Sequence, residues 1–421
     1  VPVLPVPVLV SGRSVEALRG QAVRLREFVL SEPGVTVGGV ARASALSRAA
    51  LECRGVVVAA DRDELLSGLA GLSDGVSVGR GGLTGFLFSG QGSQWSGMGR
   101  ELAECYPVFA DSFADICGRL ESVLGRPVRE VVLEGGVELD ETLFAQCGLF
   151  AVEVSLFRLL ESFGVVADFV VGHSVGEVAA AHVAGVLSLD DAVSLVCARA
   201  GLMEGLPAGG AMLAVNAAEA EVVELLSGGV GVAAVNGFRS VVVSGGVEAV
   251  EAVGVAARLR GWRCARLRVS HAFHSSLMEP VLDRFREAIS GVVFNAPGIP
   301  FVSTVDVDAA PVDVGYWVRN VRDTVRFADA VARLYELGVT RFVEVGPDAA
   351  LSVVGPDCLA GDAVAAFVSL LRRGQSEVRS LASGLGRFHA HGGGVDWASY
   401  LPAAAPVDLP TYAFQHRRYW L

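Results

Sequence analysis

The feature that most constrains the fold is a sharp, glycine-flanked turn at residues 172–176. Residues 169–171 before it are short and apolar, as a buried strand would be, and we expect an alanine-rich helix from Glu177 onward. The turn fits the pattern G-x-S-x-G, whose two glycines permit a bend that exposes the serine hydroxyl. A strand, a tight turn and a helix in this order predict an α/β fold, with Ser174 as the candidate nucleophile.

The size and composition of the chain limit the other classes of protein it could belong to. Its 421 residues predict two or three folded units, and its 52% hydrophobic and 19% charged content is that of a globular protein. The net charge is −12, and all basic side chains are arginine. An acidic chain with scattered arginines argues against broad nucleic-acid binding, although a local basic spot for a phosphate-bearing ligand remains compatible.

The cysteines indicate neither a metal site nor disulfides. They are far apart, with no CxxC pair and no Cys/His cluster, so we expect no metal. Scattered thiols are typical of a cytoplasmic protein, and we expect no signal peptide and no membrane span. The cysteines occupy positions 53, 105, 117, 147, 197, 264 and 358.

Changes of pattern along the chain predict its division into domains. Residues 1–83 should form a small α/β unit, in which the apolar spacing of 14–30 predicts a helix with Ser14 as its N-cap. Residues 84–380 should form the main domain and 381–421 an aromatic-ended tail. Four strand-like segments, 212–215, 232–235, 240–243 and 266–269, are separated by helical stretches in the order β-α-β-β-α-β, which is the ferredoxin-like plan. We therefore expect a small subdomain over 211–275, inserted into a large subdomain made of 84–210 and 276–380.

A serine nucleophile needs a general base, and histidines are the first candidates. His271 and His274 follow a predicted strand and precede a predicted helix, which is where catalytic loop residues lie. His173 is inside the turn, where we expect its side chain to point away from Ser174. The remaining histidines fit a packing role or fall in the tail, at positions 182, 389, 391 and 416.

Arg199 is a candidate for binding an anion. It lies 25 residues after Ser174, in a helix predicted over 190–203 that is otherwise apolar on the face it shares. One interpretation is that its side chain extends to solvent or pairs with Asp190 or Asp191. The other is that its guanidinium grips a substrate carboxylate through two parallel hydrogen bonds.

With these residues in place, the chain resembles the acyltransferase domains of type I modular polyketide synthases, nearly from end to end. The resemblance rests on several motifs in the family's order. They are FSGQGSQW at 88–95, GHSVGE at 172–177, HAFH at 271–274, YWVRN at 316–320 and EVGP at 344–347.

The resemblance implies a fold and a position in a longer protein. The fold is an α/β-hydrolase-like large subdomain with an inserted ferredoxin-like small subdomain. Residues before Gly82 are similar to the linker that follows an adjacent ketosynthase domain. The tail, with LPTY at 409–412 and YWL at 419–421, is similar to the linker after the acyltransferase.

The family also implies a mechanism. Ser174 would attack the thioester of an acyl-CoA while His274 takes its proton, and backbone N–H groups of Gln91 and Val175 would form the oxyanion hole. Arg199 would hold the free carboxylate of a malonyl group. The thiol of a partner acyl carrier protein would then accept the acyl group, with no metal or other cofactor.

Substrate choice is implied by the residues around this set. The HAFH block, with His271 and Phe273, is the malonyl type, because Phe273 fills the space that a smaller serine would leave for an α-methyl group. Val175 and the block ending at Gln146 agree with that type. Asn320 is expected to lie near His274 and to orient it.

Three alternatives remain open at this stage. The same chemistry could use methylmalonyl-CoA, since Cys147-Gly148 replaces the family's usual Pro-Ala next to the pocket. A serine hydrolase on the same turn would need an acid between nucleophile and histidine, and acids do occur there. A non-catalytic scaffold would have lost one of the three key residues, all of which are present. A second departure, Phe238 in place of proline, lies outside the catalytic set.

Overall fold

The computed structural model describes residues 4–77, 81–269 and 271–415. The aromatic end of the tail, with Tyr419 and Trp420, and His416 before it lie outside the described residues. The chain divides into two compact units. Unit 1 comprises Val1–Gly82, Leu160–Val166 and Leu370–Leu421, and unit 2 comprises Leu83–Leu159 and Ala167–Ser369.

The strands and helices of the described residues are numbered in chain order. The strands are β1 Val6–Gly12, β2 Cys53–Ala59, β3 Val76–Ser77, β4 Leu83–Phe88, β5 Phe169–Gly172, β6 Gly210–Val215, β7 Gly231–Gly237, β8 Ser240–Gly246, β9 Cys264–Arg266, β10 Val339–Val345 and β11 Ala366–Ser369. The helices are α1 Val15–Ser31, α2 Val37–Leu46, α3 Arg62–Gly71, α4 Arg100–Cys105, α5 Pro107–Leu124, α6 Val128–Glu134, α7 Thr142–Ser162, α8 Gly176–Val183, α9 Leu189–Glu204, α10 Glu219–Val223, α11 Val247–Leu259, α12 Glu279–Ala288, α13 Val314–Arg322, α14 Phe327–Glu336, α15 Ala350–Val354, α16 Glu377–Ala390 and α17 Trp397–Tyr400. Short 3₁₀ turns occupy Val137–Asp140, Ser276–Met278 and Gly355–Cys358.

Unit 1 is a small α/β unit around an antiparallel sheet of order β1-β2-β3. Helix α1 begins where its sequence predicts, because the Ser14 side chain accepts a hydrogen bond from Ala17 N and so caps the first turn. Asp61 caps α3 in the same way. Helix α16 packs on β2, where Gly386 allows a close approach to Val56. Helix α2 was not predicted from the sequence.

The large subdomain of unit 2 is built on a parallel sheet of order β11-β10-β4-β5. Its central strands are apolar on both faces, and Phe86, Leu87 and Phe88 of β4 are fully buried, as expected for a parallel sheet covered by helices. The carboxyl ends of parallel strands meet at one edge. The loop after β4, the turn after β5 and the loop after β10 therefore converge there.

Helix α7 forms part of the core. Within the described part of the chain it is the one helix long and apolar enough to cross a membrane. However, 89% of its most apolar 18-residue window is buried inside the protein. That degree of burial is typical of the central helix of a packed domain.

The small subdomain of unit 2 has the expected ferredoxin-like plan, with an antiparallel sheet of order β7-β8-β6-β9. Helices α10 and α11 cover one face of this sheet, where Leu213, Val215 and Val243 form a buried core. The opposite face carries Met212 and Val242, which line a cavity described below. The predicted fold class is confirmed.

The fourth strand of the small subdomain lies earlier than the sequence predicts. It spans Cys264–Arg266, and Cys264 pairs with Val215 of β6. The alternation of 266–269 suggested a strand there. Trp262 and Cys264 already pack against the core of the small subdomain, so pairing begins before that alternation.

Candidate active site

The nucleophile turn joins β5 to α8 and holds Ser174 in the left-handed region, with φ of 54°. Two close approaches enforce this turn. A Cβ at Gly172 would overlap the backbone N of Glu177, and a Cβ at Gly176 would lie 2.5 Å from Phe88 O. Only glycine fits at both places, so the hydroxyl of Ser174 is presented at the carboxyl edge of the sheet.

His274 is in hydrogen-bond contact with the nucleophile. Its Nε2 lies 2.7 Å from Ser174 Oγ, and its Nδ1 lies 2.9 Å from the backbone O of Asp323. A backbone carbonyl can only accept, so Nδ1–H donates to it and the Nε2 lone pair faces the serine hydroxyl. In the described residues no carboxylate hydrogen-bonds to His274, which disfavours the Ser-His-acid triad of the hydrolase alternative.

Burial keeps His274 in the neutral form that a general base requires. Burial first, and then the charge of Arg199, lowers the pKa of His274 to about 3. The hydrogen bond to Asp323 O opposes this shift without reversing it. The imidazole is therefore unprotonated at neutral pH and is ready to accept the serine proton.

Arg199 lies in the same site, and this position favours the interpretation that its guanidinium binds an anionic ligand. Its guanidinium is buried and donates to Ser174 Oγ at 3.0 Å, Gln146 Oε1 at 2.6 Å and Asn320 Oδ1 at 3.3 Å. Asp190 instead pairs with Arg119 on the surface. Among the described residues, no hydrogen-bond partner of Arg199 is a carboxylate. Burial lowers its pKa to about 10, so the cation persists at neutral pH and can receive an anionic ligand.

Sequence reasoning missed Glu177, which is fully buried behind the nucleophile. Its Oε1 accepts from Thr304 N at 2.6 Å and Thr304 Oγ1 at 2.9 Å, and its Oε2 accepts from Tyr316 OH at 2.7 Å and Asn320 Nδ2 at 2.8 Å. Burial raises the pKa of Glu177, and these donors oppose that shift. Its position as the one acidic residue of the apolar helix α8 was the feature of the sequence that could have identified it.

Asn320 has a different neighbour from the one expected. It bridges Arg199 and Glu177, and its Nδ2 also lies 3.4 Å from Ser174 O. The group that orients His274 is the carbonyl of Asp323, directly after helix α13. Sequence does not reveal a role played by a main-chain carbonyl, because every residue type carries one.

A cavity of about 310 Å³ opens above the serine, between the large and small subdomains. Gln91 lines it from the loop after β4, and its Oε1 accepts from Gln146 Nε2 at 3.2 Å. Val175 is buried and begins helix α8. The remaining lining includes Gly90, Ser93, His173, Arg199, Met212, Ala214, Ala234, Asn236, Ser240, Val242, Leu267, Val269, Phe273, His274, Ala350, Leu351 and Val354.

Two histidine expectations need correction at this cavity. His173 does not turn away from the site, since it lines the cavity and its Nε2 lies 2.8 Å from Asn236 Oδ1. His271 does not line the cavity: it is buried, with Nε2 2.9 Å from the backbone O of Leu206. Its neighbour Phe273 does line the cavity. Over the described ranges, no three His, Cys, Asp or Glu side chains cluster closely enough to hold a metal ion.

Comparison with known proteins identifies the family. Residues 85–395 match the family model described as "Acyl transferase domain". The chain belongs to the acyl transferase domain family. This acyltransferase is 52% identical over 435 residues to polyketide synthase GfsB of Streptomyces halstedii, covering 98% of the chain but 8% of that much longer protein.

Solved structures agree with the family assignment. The acyltransferase domain from the second module of the salinomycin polyketide synthase is 45% identical, with a TM-score of 0.79 over 96% of this chain and 98% of that one. An acyl carrier protein S-malonyltransferase from Vibrio cholerae is 32% identical, with a TM-score of 0.62 over 69% of this chain and 97% of that one. The fold and the enzyme class are therefore shared.

For an acyltransferase, the site has the parts that acyl transfer through serine requires. The candidate nucleophile Ser174 is in contact with the imidazole of His274, at the positive end of helix α8 where an oxyanion is favoured. Arg199 adds a buried positive charge beside the same oxygen. The arrangement can form an acyl-serine whose acyl group carries an anionic end.

Proposed function

We propose that this acyltransferase moves a malonyl group from malonyl-CoA to the phosphopantetheine thiol of an acyl carrier protein, through an acyl-Ser174 intermediate, within a polyketide synthase. One observation carries the proposal. Ser174 Oγ contacts His274 Nε2 at 2.7 Å and Arg199 Nη2 at 3.0 Å. A base on one side and a buried cation on the other favour an acyl group with a free carboxylate.

In the first half-reaction Ser174 Oγ attacks the thioester carbonyl while its proton passes to His274 Nε2. The tetrahedral intermediate collapses with cleavage of the C–S bond, and His274 returns the proton to the leaving CoA thiolate. We assign the oxyanion hole to the backbone N–H groups of Gln91 and Val175. Their positions in the loop after β4 and at the start of α8 support this assignment, and losing one oxyanion-hole donor costs about 2.7–4 kcal/mol in a serine protease.

Arg199 binds the carboxylate of the malonyl group. Its three present partners are neutral oxygens of Ser174, Gln146 and Asn320. A carboxylate that takes the place of Ser174 Oγ would give Arg199 a charged acceptor, and charge-assisted hydrogen bonds are about twice as strong as neutral ones. Gln146 and Asn320 then keep the guanidinium plane in position.

In the second half-reaction the carrier thiol replaces CoA. The open face of the small sheet, with Met212, Ala214 and Val242, offers an apolar wall for the pantetheine arm. The thiol gives its proton to His274, attacks the acyl-serine and releases Ser174 Oγ, which takes the proton back. The chemistry needs no metal or other cofactor beyond the two thioesters.

Phe273 favours malonyl over methylmalonyl. Its side chain is 6% exposed and lines the cavity directly before His274. An α-methyl group would have to displace it, and overpacking of that size costs about 1–3 kcal/mol. His271 does not line the cavity, so we assign it to holding the turn rather than to touching substrate.

The flanking segments join this domain to the rest of a synthase. Residues 1–83 fit a linker from a preceding ketosynthase domain and 381–421 a linker after the acyltransferase, with the catalytic domain over 84–380 between them. In support, unit 1 brings both flanking segments together, and GfsB is far longer than this chain. A cytoplasmic location follows from this assignment.

Intact-protein mass spectrometry after mixing with equal malonyl-CoA and methylmalonyl-CoA tests the proposal, with Ser174→Ala as the control. We expect a dominant malonyl adduct that is lost in the variant. A dominant methylmalonyl adduct would keep the enzyme class and refute the role of Phe273. Accumulation of free acid without an adduct would favour hydrolysis, and neither adduct nor turnover would favour a scaffold.

A further inference from the structure

The segment Asp323 to Arg326, between α13 and α14, connects the small subdomain to the catalytic histidine, and we call it the strap. Three hydrogen bonds tie it to β7. Thr324 Oγ1 donates to Val232 O at 2.6 Å. Val325 N donates to Ala233 O, and Val325 O accepts from Val235 N, both at 2.9 Å.

Strand β7 is the edge strand of the small sheet, so its outer side would otherwise present unpaired backbone groups. Val325 forms a parallel bridge to Ala234 and covers that edge. The Arg326 side chain adds an ion pair to Glu219 of α10, with Nη1 and Oε1 2.6 Å apart. The small subdomain therefore holds the strap through both its sheet and one of its helices.

The first and last residues of the strap contact the candidate catalytic residues and the groups behind them. Asp323 O accepts the Nδ1–H of His274 at 2.9 Å. Arg326 N donates to Thr304 O at 2.6 Å, and Thr304 in turn binds Glu177, the buried carboxylate behind Ser174. The strap is thus joined to His274 by one hydrogen bond. Two hydrogen bonds in succession, through Thr304, join it to Glu177, which holds Asn320 and through it Arg199.

We propose that the strap is a positioning device: the small subdomain, through β7, fixes the Asp323 carbonyl that orients His274. Thr324 and Glu219 are then positioning residues for the deprotonation of Ser174, although neither touches substrate. The inference rests on the proposed function only for the acyl donor, because the dyad of Ser174 and His274 stands on its own geometry.

The physical reason is the shortness of the chain between the anchors. Asp323 and Thr324 are adjacent, so a shift of Thr324 away from Val232 moves the carbonyl that His274 Nδ1 contacts. If that acceptor moves, the buried Nδ1–H loses its partner and the ring rotates to find another. Nε2 then leaves the 2.7 Å contact with Ser174 Oγ on which proton transfer depends.

The first test compares Thr324→Val, which removes the hydroxyl at constant shape, with Thr324→Ser, which restores it. Two rates are measured on the full chain: labelling of Ser174 by a fluorophosphonate, which needs the dyad but no acyl donor, and malonylation by malonyl-CoA. One hydrogen bond is worth about 0.5–1.5 kcal/mol, so Thr324→Val should slow both rates about two- to tenfold. The KM for malonyl-CoA should stay unchanged, the melting temperature should fall by no more than the few degrees that one lost hydrogen bond causes, and Thr324→Ser should recover the rates.

The second test uses a matched pair on α10. Glu219→Gln removes the ion pair with Arg326 of the strap, whereas Glu221→Gln removes an ion pair with Arg239 inside the small subdomain. We expect slower labelling in Glu219→Gln and the wild-type rate in Glu221→Gln.

Two results would overturn the proposal. One is labelling of Ser174 in Thr324→Val at the wild-type rate. The other is slow labelling in Thr324→Val that accompanies a large fall in melting temperature and that Thr324→Ser does not restore. Failure of the proposed function looks different. Fluorophosphonate labelling would respond to these variants as described, while wild-type protein would form no malonyl adduct.

Discussion

Ser174 and His274 share the left-handed backbone conformation, with φ of 54° and 55°, but different parts of the chain hold them there. The serine turn carries its own two glycines: Gly172 permits the close approach to Glu177 N within the turn, and Gly176 permits the approach to Phe88 O at the end of β4. The histidine turn contains no glycine. Its ring is held by Asp323 O, 49 residues away.

The backbone around His274 is also supported from a distance. Gly210, at the start of β6, approaches Ala272 so closely that a Cβ there would overlap the Ala272 backbone N. Within the turn, Ser275 Oγ donates to Ala272 O at 2.6 Å. The conformation of the serine turn therefore depends on glycines within the turn, whereas the histidine turn contains none and depends on Gly210 and Asp323 elsewhere in the chain, so the two turns should respond differently to substitution.

The largest effect on the labelling rate is expected from Gly176→Ala, a substitution within the serine turn. The added Cβ would lie 2.5 Å from Phe88 O and Ser89 O, so the turn must shift and carry Ser174 with it. A displacement of about 1 Å at a reacting group can cost about a hundredfold in rate. Fluorophosphonate labelling measures the loss. Gly118→Ala is the matched control, since no atom lies within 4 Å of a Cβ at that helical position. An unchanged labelling rate in Gly176→Ala would show that the glycines of the turn do not set the position of Ser174.

An effect of comparable or smaller size is expected from Arg199→Gln, because Arg199 acts on both turns. Loss of a charged hydrogen-bond donor should slow malonylation about 10- to 150-fold. The charge of Arg199 also lowers the pKa of His274, so its removal raises that pKa toward the ordinary histidine value. Since the neutral imidazole is the active form, the acid limb of the pH–labelling profile should move to higher pH in the variant.

Labelling rates between pH 4 and 9 check this shift, because the fluorophosphonate carries no carboxylate that could bind Arg199. In the wild-type protein, with the pKa of His274 at about 3, labelling should not fall through the ordinary histidine range. Labelling rates that stay flat from pH 9 down to pH 4 in both proteins would show that Arg199 does not set the protonation of the base.

The smallest effect is expected from Gly210→Ala, which disturbs the histidine turn from 64 residues away in sequence. Its Cβ would press on Ala272, and we expect a loss of labelling of about tenfold or less, since overpacking costs about 1–3 kcal/mol and part of it is relieved by relaxation. Gly231→Ala in β7 is the control, because no atom lies within 4 Å of its added Cβ. A loss as large as that of Gly176→Ala would contradict the ranking.

The same contrast explains which parts of the fold could be predicted from sequence. The start of α1 at Ser14 and the turn at Ser174 depend on neighbouring residues, and both were predicted. The fourth strand of the small subdomain depends on register with β6, so an alternating pattern at 266–269 misplaced it. Helix α2 was missed because Gly38 and Gly39 obscure its helical pattern.

The site divides in the same way. Ser174 and His274 were proposed from motif positions and Arg199 from its place on an otherwise apolar helix face. The structure brings His274 and Arg199 within hydrogen-bond distance of Ser174. Asp323 could not be proposed, since it acts through a main-chain carbonyl. Glu177 acts through four donors from distant segments, and only its isolation among apolar residues marked it in the sequence.

Transfer of malonyl from Ser174 to a carrier thiol is tested most directly by a chase. The isolated malonyl-enzyme is mixed with a phosphopantetheinylated acyl carrier protein, and both proteins are followed by mass spectrometry. We expect malonyl to leave Ser174 at the rate at which it appears on the carrier thiol, and the adduct to persist when no thiol is added. Release of free malonate at the same rate with or without the carrier protein would contradict it.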